Sequence, residues 1–194
     1  MKHGFKAFAE RKAVEMRRLC GLGAISRLPA RRLAEELKVK LLAPTEIHGL
    51  PVEVASMLLT EYDHCWSAVT IKVGDVPLVI YNNSHVPERQ ESDLMHEFAH
   101  LICGHKPARI EPPGVLPFAT RTFDPEQEEE ANWLGSCLQI PREAFLKLLP
   151  RRYDNLQIAS HFGASPEMVL FRRNLTGVDK QLAARNFMRR ARFN

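Results

Sequence analysis

The sequence predicts an α+β protein. A mainly helical domain carries a small antiparallel sheet packed on the helix that bears Met95-His96-Glu97-Phe98-Ala99-His100, and a helical unit with a helix-turn-helix look follows. Three observations lead there. Apolar residues recur with helical period through most of the chain. Two β-rich runs flank Gly74-Asp75 in the middle. From about residue 152 the pattern breaks into three short helical stretches. The predicted division is 1–150 for the first unit and 151–194 for the second.

Taken in order, residues 5–20 place Phe5, Phe8, Ala9, Ala13, Met16 and Leu19 on one helical face. Residues 30–38 predict a second short helix, ended by Val39-Lys-Leu-Leu-Ala-Pro44. A third helix is expected over 53–61, after Pro51. Residues 66–73 and 77–81 read as a hairpin around the Gly74-Asp75 turn, and Asn82-Asn83-Ser84-His85 ends its second strand. Ser92 is the expected N-cap of the next helix, Gly104 its stop, and Glu91 and Asp93 the acids favoured near its positive end. Residues 106–123 contain Pro107, Pro112, Pro113, Gly114 and Pro117 and predict a long irregular loop able to cover a cleft. Asp124-Pro125-Glu126-Gln127 then reads as a capped helix start, running to Pro141.

With 194 residues, 45% of them apolar, the chain can bury a real core, and wholesale disorder is not expected. No apolar run approaches the roughly 20 residues that span a bilayer, and the charged N-terminal stretch has no apolar signal core. A cytoplasmic protein without a membrane partner is therefore expected. Cys20, Cys65, Cys103 and Cys137 are scattered and form no C-x-x-C pair, which argues against a disulfide framework and a thiolate zinc site. Charge is segregated. Residues 1–40 hold 11 Lys/Arg against 4 Asp/Glu, residues 141–194 again 11 against 4, and residues 41–140 only 5 against 15.

The acidic middle holds the candidate chemistry. Residues four apart on a helix point the same way, so His96 and His100 can offer imidazole nitrogens to one ion. Glu97, about 100° round the helix from His96, lies near that ion without ligating it, which suits a general base acting on metal-activated water. Two histidines leave the site one ligand short. His105 follows His96 by nine residues, which does not match the ten-residue metzincin spacing, and is expected as a polar residue at the helix end. Glu128, Glu129 and Glu130 are the other candidates. The core face set by Ala131, Leu134 and Leu138 points Glu129 directly away and leaves Glu128 and Glu130 tied. Asn132, one turn after Glu128, favours Glu128, because its side chain can orient a ligating histidine.

HEFAHLICGH followed by EEEANWLGSCLQIP resembles the ImmA/IrrE metallo-endopeptidases, in which the second segment usually reads like E-x-E-A-N-x-F-A-x-x-L-L-M-P. The two segments stand in the right order, with His100 and Glu128 28 residues apart, and the resemblance covers about 45–177. It departs at Leu134-Gly135, where Phe-Ala is usual, and at Gln139-Ile140, where Leu-Met is usual. The resemblance implies a gluzincin-like site: His96, His100 and Glu128 as ligands of zinc, with manganese as an alternative, and Glu97 as the catalytic glutamate. It implies a protein substrate, often a helix-turn-helix transcriptional repressor. An extended substrate is expected to pair along Tyr81–Ser84, including Asn82 and Asn83. Arg172 is the leading candidate for an oxyanion stabiliser, with His161 and Tyr153 behind it.

Residues 156–169, with Gly163 in the turn and Ser165-Pro166 opening the next helix, also support a DNA-binding regulator with a structural or silent metal site. Arg172, Arg173 and the arginines at 185, 189, 190 and 192 would supply its charge. Packing is the favoured role. The presumed recognition helix is mostly apolar, and its arginines lie at its end, whereas base contacts come from the start. A toxin or defence component using the same proteolysis is the third alternative.

Overall fold

A computed structural model describes residues 1–74, 76–106, 110–111, 120–121 and 124–191. Helix α1 (Phe5–Leu19) buries Phe5, Ala9, Ala13 and Met16, as its period predicts. It also buries Arg17, whose guanidinium donates to the carbonyls of Ala13 (3.0 Å), Ser26 (2.9 Å), Leu138 (2.8 Å) and Gln139 (2.9 Å). Leu138 and Gln139 end helix α5 (Pro125–Gln139), so the cation sits where the helix dipole is negative. Burial pulls the Arg17 pKa down to about 10, which still leaves a cation at neutral pH.

Helix α2 (Ala30–Glu36) ends where Lys38 takes a left-handed φ of 55°. The chain then enters strand β1 (Lys40–Leu42), which pairs parallel with β3 (Val76–Tyr81), while β2 (Ala68–Val73) pairs antiparallel with β3. The sheet is therefore mixed, in the order β1-β3-β2, and not the antiparallel hairpin alone. Parallel partners are far apart in sequence, so no local turn signal announces them. Gly74 adopts the expected left-handed φ of 62°, while Asp75 lies outside the described residues.

This order corrects the expected substrate edge. β3 is central, the Asn82 N–H donates to Ser67 O (2.7 Å), and the buried Asn82 side chain donates to Asp63 O (3.0 Å). Asn83 lies in the turn beyond the strand. Neither residue offers a free backbone edge, whereas β2 lies at the edge of the sheet formed by the described residues.

Helix α3 (Val52–Leu59) precedes the sheet's hairpin, and helix α4 (Pro87–Cys103) follows it. Helix α4 begins five residues before Ser92, because Pro87 fits the first helical position and Glu88 supplies the acid of the first turn. Glu91 instead accepts the Ala30 N–H that opens α2 (2.9 Å), and Asp93 faces His85. Gly104 ends α4 as expected, with φ 64°. The expected loop at 106–123 contributes the antiparallel pair β4 (Ile110–Glu111) and β5 (Thr120–Arg121); its remainder from residue 107 lies outside the described residues.

Helix α5 opens at the expected cap, where the Asp124 carboxylate accepts from Glu126 N and Gln127 N. It buries Ala131, Leu134, Cys137 and Leu138 against α4, in one cluster with Leu94, Met95, Phe98 and Ala99. Gly135 makes the crossing close. A Cβ there would stand 3.1 Å from Met95 O and 3.2 Å from His96 N and Cα.

Helix α6 (Arg142–Leu148) leads to the three expected tail helices, α7 (Asn155–Phe162), α8 (Pro166–Thr176) and α9 (Val178–Ala191). A second apolar cluster joins Ile140, Phe145 and Leu148 to Ile158, Phe162, Val169 and Val178, drawing on both sides of residue 150. Among the described residues no helix is long and apolar enough to cross a membrane.

Gly135→Val should overpack the α4–α5 crossing and cost about 1–3 kcal/mol in metal-free denaturant unfolding. An unchanged midpoint would mean that the two backbones are not held at this separation.

Candidate metal centre

His96 and His100 project from successive turns of α4 toward the first turns of α5. Their Nε2 atoms lie 3.0 Å apart, and Glu128 Oε2 lies 3.1 Å from His96 Nε2 and 3.6 Å from His100 Nε2. An ion with tetrahedral arms of about 2.0–2.1 Å requires ligand atoms about 3.3–3.4 Å apart. The three atoms are thus spaced as three corners of one coordination shell. Among the described residues this is the group of His, Cys, Asp or Glu able to hold a metal ion. The donor set of two imidazoles and one carboxylate leaves a fourth position free, which is the pattern of a catalytic site.

Each histidine is oriented through its other nitrogen. His96 Nδ1 meets Asn132 Oδ1 at 3.1 Å, so candidate ligand Glu128 and this partner of His96 are one turn apart on α5. His100 Nδ1 meets His105 Nδ1 at 2.9 Å. Burial first, and then the neighbouring His96, hold the His100 pKa below its ordinary value. That favours the neutral ring a ligand must be.

The acidic run is sorted by its surroundings. Glu128 faces the histidines, Glu129 faces the Met1 amine (2.9 Å), and Glu130 is buried. Glu130 Oε1 accepts from Lys2 N–H (3.1 Å) and Oε2 from His105 Nε2 (3.3 Å). Burial pushes the Glu130 carboxyl up, but those bonds outweigh it and hold the pKa below the usual carboxylate range.

Glu97 is buried outside the triad, and its Oε2 accepts a hydrogen bond from the Thr70 hydroxyl of β2. A cleft of about 850 Å³ opens beside it, lined by His96, Glu97 and Asn132 together with Leu58, Trp66 and Val69.

The expected oxyanion residues lie elsewhere. Arg172 is fully buried, donating to Ile140 O (2.9 Å) and pairing with Glu10 (2.5 Å), so it ties α8 to α1 and the end of α5. His161 meets Ile25 O (3.2 Å), and Tyr153 is exposed. Sequence reasoning missed Thr70, His105 and Glu130 as partners of the site. Strand alternation could have flagged Thr70, on the same face as Ala68. Gly104 could have flagged His105, because a left-handed stop folds the chain back over the last turn.

The family model of peptidase M78, the IrrE N-terminal-like domain, matches residues 49–174, well over half of the sequence. The chain belongs to this family. It is thus a metallopeptidase of the ImmA/IrrE kind, and the triad is its candidate metal centre. Searches of curated proteins and of solved structures return no match.

The purified M78 protein should bind one divalent ion per chain. His96→Ala and Glu128→Ala should each lose it under chelator competition, while Glu129→Ala should bind as the parent does. Undiminished binding in both ligand variants would refute the ligand set.

Proposed function

We propose that this M78 protein is a zinc-dependent endopeptidase that cuts a peptide bond in a regulatory protein, with a helix-turn-helix transcriptional repressor as the substrate class. The observation that carries the hydrolase reading is the position of Glu97: buried, hydrogen-bonded to Thr70, outside the triad and facing the same cleft as His96. The repressor assignment rests on the family resemblance. His96, His100 and Glu128 would hold the ion; the same donors accept manganese, and two imidazoles make zinc the assignment here.

Bound there, zinc would supply Lewis acidity and lower the pKa of a water in its open position. With Oε2 occupied by the Thr70 hydroxyl, Glu97 Oε1 would take a proton from the attacking water as its oxygen bonds to the carbonyl carbon, and would pass that proton to the leaving amine nitrogen as the C–N bond breaks.

The substrate edge is assigned to β2. The Asn82 N–H to Ser67 O bond makes that pair hydrogen-bonded, so by alternation the backbone groups of Ala68 and Thr70 face away from β3. Among the described residues no strand pairs with that side of β2. An extended chain can add there, because Ala68 and Glu97 line the same cleft. Free thiols at all four cysteines, Cys65 exposed, suit a reducing cytoplasm.

A DNA-binding regulator has less support. Arg172 is buried, Arg173 is bonded to Asp179 and Asn155, and Glu167 stands in the first turn of α8. The side chains of Arg189 and Arg190, and all of Arg192, lie outside the described residues.

Expressing the protein in cells and sequencing new protein N-termini tests the proposal. Glu97→Gln should abolish them while retaining metal, and the same termini in both would sink the hydrolase reading. Termini confined to proteins other than repressors would overturn the substrate class alone. Thr70→Val should slow cleavage of the identified substrate at least about tenfold, the worth of a hydrogen bond to a charged group, with metal affinity unaltered.

A further inference from the structure

We infer that a groove between α1, α6 and α8 docks an acidic amphipathic helix of a partner protein. The groove has a volume of about 990 Å³ and shares no lining residue with the cleft at the metal centre. Asn132 of α5 lines the cleft and the next residue, Trp133, lines the groove, so the two lie on different faces of α5.

Helix α1 presents one face to the core and another to the groove. Ala9, Ala13 and Met16 are buried, while Ala7, Arg11, Val14 and Arg18 line the groove. These four recur at intervals of four, three and four residues, which keeps them in one stripe along a helix. At a rise of about 1.5 Å per residue the stripe is about 16 Å long, or three turns of a helix laid against it. Trp133 on α5, Leu146 on α6 and Leu175 on α8 add apolar surface to the same groove. That is the geometry in which an amphipathic helix lays its apolar face.

Charge selects the sign of the occupant. Lys6, Arg11, Arg18 and Arg142 line the groove, and so do Glu10, Glu15 and Glu143. The carboxylates are already balanced from outside it. Glu10 pairs with buried Arg172 and accepts the Arg142 N–H (2.8 Å). Glu15 pairs with Lys12 (2.8 Å) and Glu143 with Lys147 (2.7 Å). None of Arg172, Lys12 and Lys147 lines the groove, so its own four cations are left over. Among the described residues no carboxylate pairs with any of the four. Lys6 Nζ instead stands 4.3 Å from the centre of the Trp133 ring, and the Arg142 guanidinium donates to the Gln181 side-chain oxygen. An acidic helix supplies the missing counter-charge, and its apolar face covers Val14, Leu146 and Leu175. A nucleic-acid backbone brings phosphate charge but nothing to cover those three residues.

Fluorescence anisotropy of a labelled peptide mixed with the full chain, metal-free, tests the assignment. The probe is a helix of about three turns, with leucine on one face and glutamate along its flanks. It should bind, and bind less tightly as salt rises. Arg11→Glu/Arg18→Glu should weaken it about tenfold, because each reversal removes an attraction and adds a repulsion. Both arginines are exposed, so the fold should tolerate the change. The reversed protein should also bind a lysine version of the peptide more tightly than the parent does, a gain that misfolding cannot produce. No binding of the glutamate peptide, or equal affinity for it in parent and reversed protein, overturns the proposal. So does a serine-for-leucine peptide, or duplex DNA, that binds the parent as tightly as the probe, because either would show recognition of charge alone. A parent dimer in sedimentation that the reversal splits would give the groove to a second copy of this chain and overturn the partner helix. Cleavage is not the readout, so each of these failures leaves the metallopeptidase reading standing.

Discussion

The rest of the structure depends on how closely α4 and α5 cross. An ion needs its ligand atoms within about 3.4 Å of one another, and here they come from two helices. Side chains alone cannot supply that convergence if the backbones stand apart. Gly135 removes the last Cβ from the contact, so α5 lies against the backbone of His96 itself. The apolar cluster around Phe98, Leu134 and Leu138 holds the pair together. Arg17 then fastens the far end of α5 to α1 through Leu138 and Gln139. The candidate metal ligands thus stand on two elements that are each fixed at more than one place.

Charge is handled by the same crossing. The acidic centre of the chain puts five carboxylates between Asp124 and Glu130, which favours the dipole of α5 but would repel if left unassigned. Asp124 caps the helix, Glu129 faces an amine, Glu130 is bonded on both oxygens, and Glu128 remains for a cation. The residues before α1 supply part of this sorting through the Lys2 backbone N–H and the Met1 amine.

The sheet contributes position. β3 is sandwiched between β1 and β2, which leaves the outer side of β2 next to the cleft. Thr70 shows why this matters. Its side chain reaches Glu97, while its backbone belongs to the free side of the strand. In the proposed function, one residue thereby links Glu97, the proposed base, to the proposed substrate edge.

Local pattern was enough to read what depends on near neighbours. The four-residue spacing of His96 and His100 put them on one face, Gly104 ended their helix, and Asp124-Pro125 began α5. Each is a matter of helix geometry or capping within a few bonds. What stayed illegible depends on residues far apart in the chain. The parallel pairing of β1 with β3 made Asn82 a buried strand end instead of an edge. The approach of α8 to the end of α5, with Glu10 of α1 beside it, buried the Arg172 side chain. Periodicity by itself left Glu128 and Glu130 equivalent, because both flank the core face. The crossing of α4 and α5 separated them, setting Glu128 beside two imidazoles and Glu130 behind a third. Helical spacing by itself determined which face can carry a ligand; only the packing of one helix against another decided which ligands meet.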